Sequence, residues 1–162
     1  MQHMPSYDPI INKVIDKYYD MVYKLAFSRT RNRFDAEDVL QEVFLRYIKH
    51  PRNFNGEDHE KAWFLKVTIN CSKNLFSSFS KNSTVALFEI SWGVTDEEQI
   101  LGEFLSRLPL KYRTVIHLFY YEQLKIAEIA NLLELKESTV KVQLTRARRL
   151  LKGFMEMEDE NV

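Results

Sequence analysis

Residues 124–152 read LKIAEIANLLELKESTVKVQLTRARRLLK, and this stretch decides the architecture. Leu124, Ala127, Ile129, Ala130 and Leu133 form the compact apolar face of a short helix, with Ala127 and Ala130 small enough for a second helix to cross closely. A turn is expected between Glu134 and Glu137, after which Ser138 is read as the cap of a helix running to about Lys152. At roughly 100° per residue, Val140, Leu144, Ala147 and Leu151 share a buried stripe. Ser138, Lys141, Val142, Thr145, Arg146, Arg149 and Lys152 fall on the opposite side, and Thr139 stands beside Ser138 at the start. From Ser138 to Lys152 there are five bases and no acid. Such a pair of helices is a helix-turn-helix over 126–152. Its early polar residues would reach base edges in the major groove, and its late arginines would hold phosphates. An ordinary solvated surface helix carries a similar charge. The short Ala-containing helix at the right offset favours DNA.

A zero net charge over 162 residues argues at first against such a partner, but the charge is sorted along the chain. Residues 99–155 hold ten Lys and Arg against five Asp and Glu, while 156–162 hold four acids and no base. Residues 81–98 carry one Lys against four acids, and residues 1–80 are near balance at twelve to ten. Hydrophobic content of 45% suffices for packed cores, and four Gly with four Pro favour helices over many short strands. The lone Cys71 cannot pair within the chain, which suits a reducing cytoplasm. Residues 1–9 lack an apolar signal core, and no stretch approaches the roughly 20 apolar residues of a membrane span. The expectation is an all-α, cytoplasmic protein of two small helical domains on a flexible linker.

Upstream of the linker, Ile11, Val14, Ile15, Tyr18, Tyr19, Val22, Leu25 and Ala26 recur at helical spacing, and Arg29, Arg31 and Arg33 interrupt the run. Asp35 is read as the N-cap of a second helix, with Asp38 in its first turn. Ala36, Leu40, Val43, Phe44 and Tyr47 form its core stripe. Its other face carries Asp38, Gln41, Glu42 and Lys49 around Leu45. An apolar residue ringed by acids and an amide suits docking on a basic protein surface. Residues 50–60 read as a loop, and a third helix is expected over about 61–79. Residues 80–98 lack a sustained period, although Leu87, Phe88, Ile90 and Trp92 could dock on something. Beyond them a helix is expected over 99–108. Pro109 then opens another in its first turn, through about Tyr121.

LSRLPLKYRTVIHLFYYEQLKIAEIANLLELKESTVKVQLTRARRLLK resembles region 4 of bacterial sigma factors, above all the extracytoplasmic-function group. FDAEDVLQEVFLRYIK and KAWFLKVTIN are similar to region 2 of the same group, in the family's order and spacing. The resemblance implies sigma region 2 over 8–80, a linker over 81–98 and region 4 over 99–155. It also implies a factor that binds core RNA polymerase, opens promoter DNA with region 2, reads an upstream element with region 4 and performs no catalysis. On that reading Asp38, Gln41, Glu42, Leu45 and Lys49 meet polymerase. Arg52, Asn53, Phe54 and Asn55 lie where the family captures a flipped base, followed by Lys61, Lys66, Asn70, Lys73 and Asn74 on the next helix. Trp63 is read as core rather than a stacking platform. Ser138, Thr139, Lys141, Val142, Thr145, Arg146 and Arg149 contact the upstream element. An anti-sigma factor that masks both regions is a further implied partner, one that could hold the factor near the membrane.

The chain departs from the family pattern at several positions. Ser77, Ser78 and Ser80, with only Lys81, replace an Arg-rich helix end, Asn74 replaces a common Asp, and Ile69 a usual Arg. Glu134 stands where the turn usually has Gly, a strained choice if φ is positive there. Gln143 replaces a frequent Arg. A helix-turn-helix regulator without polymerase recruitment is the alternative, but it leaves the region 2 match unexplained. The dispersed His3, His50, His59 and His117 offer no metal-ligand spacing, so neither metal nor other cofactor is expected.

Overall fold

The computed structural model describes residues 8–50, 52–79 and 95–161, with the backbone alone given at 74–79 and 98. The expected linker from 80 to 94, including Ser80, Lys81, Leu87, Phe88, Ile90 and Trp92, lies outside the described residues, as does Pro51. The described residues are helical and divide into two compact units, 1–80 and 81–162.

The first unit packs three helices, α1 (Pro9–Thr30), α2 (Arg33–Lys49) and α3 (Glu57–Phe79), each against the other two. Pro9 opens α1 in its first turn, and the Asp8 carboxylate accepts from the Ile10 amide at 2.9 Å. Arg31 ends the helix in a left-handed conformation, φ 55°, with its amide returned to the Phe27 carbonyl. Asp35, expected as the cap of α2, lies inside it. Asn32 is the cap, because its side-chain oxygen accepts from both Phe34 and Asp35 amides at 2.8 and 3.1 Å. The third helix begins at Glu57, earlier than expected. Glu57, Asp58 and Glu60 crowd its first turn and complement the helix dipole.

Phe64 organises the core of this unit. Tyr18 stacks on it at 4.4 Å between centroids, while Trp63, Tyr47 and Phe44 surround it at 4.9, 5.4 and 5.7 Å. Val22, Ala26, Ala36, Val39, Leu40, Val43 and Cys71 complete the cluster. The Tyr18 hydroxyl donates to Glu60 Oε1 at 2.7 Å, and Lys17 meets Glu57 at 2.6 Å, fixing the start of α3 on α1. Burial, then the Glu60 bond, push the Tyr18 hydroxyl to about 12. The interior also holds a charge: Arg29, 4% exposed, donates to Ser72 Oγ at 2.5 Å. Burial brings its pKa down to about 10, which keeps it protonated near neutrality.

The second unit holds α4 (Asp96–Ser106), α5 (Leu110–Ile116), a π-helical turn over His117–Tyr121, α6 (Ile126–Leu133) and α7 (Glu137–Glu160). Residues 96–98, expected in the linker, are helical. Pro109 sits just before α5 as its cap, φ −53° and ψ 149°, rather than in its first turn. The π turn lets the Leu124 amide reach back to the Leu118 carbonyl at 3.0 Å, closing the connection to α6. Helices α5 and α6 both pack on α7, around Leu108, Val115, Leu118, Ile129, Val140, Leu144 and Ala147, and α4 also touches α7. Buried Arg113 donates to the Leu108 carbonyl at 2.7 Å and ties the α4–α5 connection to the core.

Further expectations fail on α6 and α7. Ala127 is exposed, and only Ile129 and Ala130 of α6 are buried, so the buried face is turned away from Ala127. Ser138 does not cap α7. The helix starts two residues earlier, with Lys136 as cap and no side-chain cap bond, leaving Ser138 exposed in the first turn. It also runs past Lys152 to Glu160.

Candidate nucleic-acid and polymerase interfaces

The turn between α6 and α7 is a Schellman motif. The Leu135 amide reaches the Ala130 carbonyl at 2.9 Å, and the Glu134 amide reaches Asn131 at 3.4 Å. Glu134 itself is left-handed, φ 57° and ψ 44°, the positive φ that makes Glu a strained substitute for Gly. Glu128 Oε1 accepts from the Lys125 amide at 3.1 Å at the other end of α6, so both of its ends are fixed.

On α7, Val140, Leu144 and Ala147 are buried as the periodicity predicts, with Leu151 half-buried. Ser138, Lys141, Val142, Thr145, Arg146, Arg149 and Lys152 are all exposed, and Thr139 is half-buried. Among the described residues no carboxylate pairs with Lys141, Arg146 or Arg149, whereas Lys152 lies 3.9 Å from Glu156. The cationic face is therefore open along its middle. Arg148, not assigned a role from the sequence, is exposed but held by an aromatic neighbour: its Nε donates to the Tyr120 hydroxyl at 2.5 Å. Its guanidinium lies 5.6 and 5.5 Å from the Phe119 and Tyr120 rings. Gln143 is half-buried beside the face, and its Oε1 is buried with no hydrogen-bond partner among the described residues.

In the first unit α2 presents Asp38, Gln41, Glu42, Leu45 and Lys49, all exposed. Glu42 also receives Arg46 Nε at 3.0 Å. The structure adds two residues that sequence reading missed. Phe34 and Ile48 are 66% and 42% exposed, and at helical spacing they extend the line Asp38–Gln41–Leu45 at both ends. Taking Asp35 as the cap hid Phe34, because that placed it outside the helix.

The loop before α3 folds onto Trp63. Phe54 lies 5.9 Å from the Trp63 ring and 5.4 Å from His59, and the Arg52 guanidinium is 5.6 Å from the Trp63 ring. The Asn55 amide donates to His59 Nδ1 at 3.0 Å, and Gly56 takes φ 101°, open to Gly alone without strain. Arg52, Asn53 and Asn55 stay exposed around half-buried Phe54. Trp63 is half-buried against the core cluster, as read from the sequence. Lys66, Asn70 and Lys73 form an exposed line along α3, with Lys61 half-buried. The side chain of Asn74, like those of Leu75, Ser77 and Ser78, lies outside the described residues. His59, in the first turn of α3, is the residue at this loop that the sequence did not single out, since a hydrogen bond to a backbone amide leaves no periodic trace.

A three-helix unit with an acidic and apolar stripe, and a helix-turn-helix with an open cationic face, define a DNA-binding helical protein. The Sigma-70 region 2 family model matches residues 14–81, and the Sigma-70, region 4 model matches 98–151. The RNA polymerase sigma factor SigV of Bacillus subtilis is 31% identical over 144 residues, covering 85% of this chain and 86% of SigV. The ECF RNA polymerase sigma factor SigM of the same organism is 28% identical over 156 residues, covering 89% and 94%. The fold is shared with the sigma factor RpoE of Bartonella quintana, solved with the anti-sigma factor NepR. The TM-score is 0.71 at 18% identity, over 92% of this chain and 98% of that one. The chain belongs to the extracytoplasmic-function family of RNA polymerase sigma factors. It is thus a transcription initiation factor, acting with core RNA polymerase at promoter DNA. Among the described residues no helix is long and apolar enough to cross a membrane.

Proposed function

We propose that the two units are two grips on one promoter. Residues 8–80 bind core polymerase and open the downstream element, 81–98 connect, and 99–155 read the upstream element. The observation that carries the reading is the uncompensated cationic face of α7: Lys141, Arg146 and Arg149 are exposed with no carboxylate partner among the described residues. Ser138, Thr139, Lys141, Val142 and Thr145 would enter the major groove from the early turns of α7, with Arg146 and Arg149 further along holding phosphates. The stripe Asp38, Gln41, Glu42, Leu45 and Lys49 would dock on a basic surface of polymerase, with Leu45 as its apolar centre.

Strand opening falls to the loop and the basic line behind it. Arg52, Asn53 and Asn55 surround the half-buried Phe54 and Trp63, an arrangement suited to holding an unstacked base, and Lys66, Asn70, Lys73 and Asn74 would follow the backbone. The work is done in the cytoplasm, with an anti-sigma factor as the restraint. The Bartonella factor of like fold was solved with such a partner. Run-off transcription with purified core polymerase on a template library tests the whole reading. New start sites that depend on the protein are expected. Tight duplex binding without any new start site would establish a simple helix-turn-helix regulator instead.

A further inference from the structure

The open face of α7 contains one residue that does not fit a surface of phosphate contacts. Val142 is 45% exposed in the second turn of α7, with Ser138 one turn before it and Thr145 and Arg146 one turn after. Burial does not explain it, since Val140, Leu144 and Ala147 carry the packing. Helix propensity does not explain it either, because a β-branched residue is a poor choice for a solvated helix position. Thr145 beside it commits its hydroxyl to the Lys141 carbonyl at 3.0 Å, so it has no free proton to offer a base. The centre of the reading face thus carries an apolar group, Val142, with cations on both sides at Lys141 and Arg146.

In the major groove the distinctive apolar group is the C5-methyl of thymine, which stands beside that base's O4 acceptor. A valine set against a donor or acceptor of any base would strip that group of water and leave it unpaired. We propose that Val142 selects a thymine in the upstream element by packing on its methyl group, with Thr145 alongside. This rests on α7 being the upstream reader and names the chemical group it recognises. Gln143, half-buried at the edge of the face, is not in a position to take over the contact.

The test uses the full chain assembled with core polymerase. A promoter is recovered by start-site selection from a library randomised in the upstream element, and each thymine of that element is then replaced singly by deoxyuridine. The exchange removes one methyl group and keeps every hydrogen-bonding group. Loss of one methyl contact is expected to weaken wild-type promoter binding about fourfold at one thymine. Val142→Ala should bind the parent promoter about as weakly as wild type binds that deoxyuridine promoter, and should be indifferent to the exchange. Uniform insensitivity of wild type to every exchange, or full sensitivity retained by Val142→Ala, overturns the proposal. Arg146→Ala and Arg149→Ala run in parallel keep the two levels apart. If they weaken binding while no thymine matters, the reader stands and the methyl contact is wrong. If they change nothing, α7 is not the reader and the proposal falls with it.

Discussion

Replacing Glu134 by glycine should stabilise the second unit, although the change removes a charged side chain. Glu134 sits at φ 57° directly after α6, where its amide and that of Leu135 close the Schellman bonds to Asn131 and Ala130. An L-residue in this region costs about 1–2 kcal/mol, which glycine avoids. Glycine loses about 0.5–1 kcal/mol in return through the greater freedom of the unfolded chain. The net expectation is a gain of about 0.5–1 kcal/mol, since the hydrogen bonds of the turn are made by backbone and survive the exchange. Glu134→Ala is the necessary companion, because it removes the carboxylate and keeps the strained φ. Native-state amide exchange in α5, α6 and α7 of the full chain reads the effect. Global opening should be about two- to fivefold rarer in Glu134→Gly than in Glu134→Ala. Equal exchange in the two variants, or faster exchange in the glycine variant, would refute the assignment of strain to this turn.

The same geometry sets three further expectations. Arg146→Ala and Arg149→Ala should each weaken upstream-element binding and lower the slope of log affinity against log salt by about 0.9, measured by titration at several salt concentrations. Glu42→Arg reverses the charge at the middle of the α2 stripe and removes its pair with Arg46. Core polymerase binding should fall about tenfold or more by competition binding, with amide exchange in α7 unchanged. Ser72→Ala takes an acceptor from the buried Arg29 guanidinium, so the first unit should lose about 1–3 kcal/mol, read from exchange of α1–α3 amides in urea. No change there would mean that Arg29 is satisfied without Ser72.

The exposure of the candidate faces was legible because they lie on long amphipathic helices. The face of α7 from Lys141 to Arg149 and that of α2 from Asp38 to Lys49 follow from a 3.6-residue period, which alone assigns inside and outside. Helix ends were read less well. Asp35 and Asn32 are both competent caps by residue type, and only the path of the chain out of left-handed Arg31 brings Asn32 over the first amides. Ser138 was displaced from the cap of α7 in the same way, by the position of the α6 turn. Ala127 was misassigned because an eight-residue helix shows barely two turns of pattern, too few to fix its rotation.

The sequence by itself determined the helical class, the two-part division and the helix-turn-helix, since each is encoded by local periodicity and by charge sorted along the chain. It also marked Glu134 as a site of strain conditional on its φ. The tertiary structure alone decided that φ, together with the π turn that aims α6 at α7 and the withdrawal of Arg148 from the cationic face by Tyr120. It alone decided that Asn55 is anchored by His59 and that Phe34 extends the α2 stripe. Those features arise from how non-adjacent or helix-ending residues meet in space, and a one-dimensional pattern carries no record of such meetings.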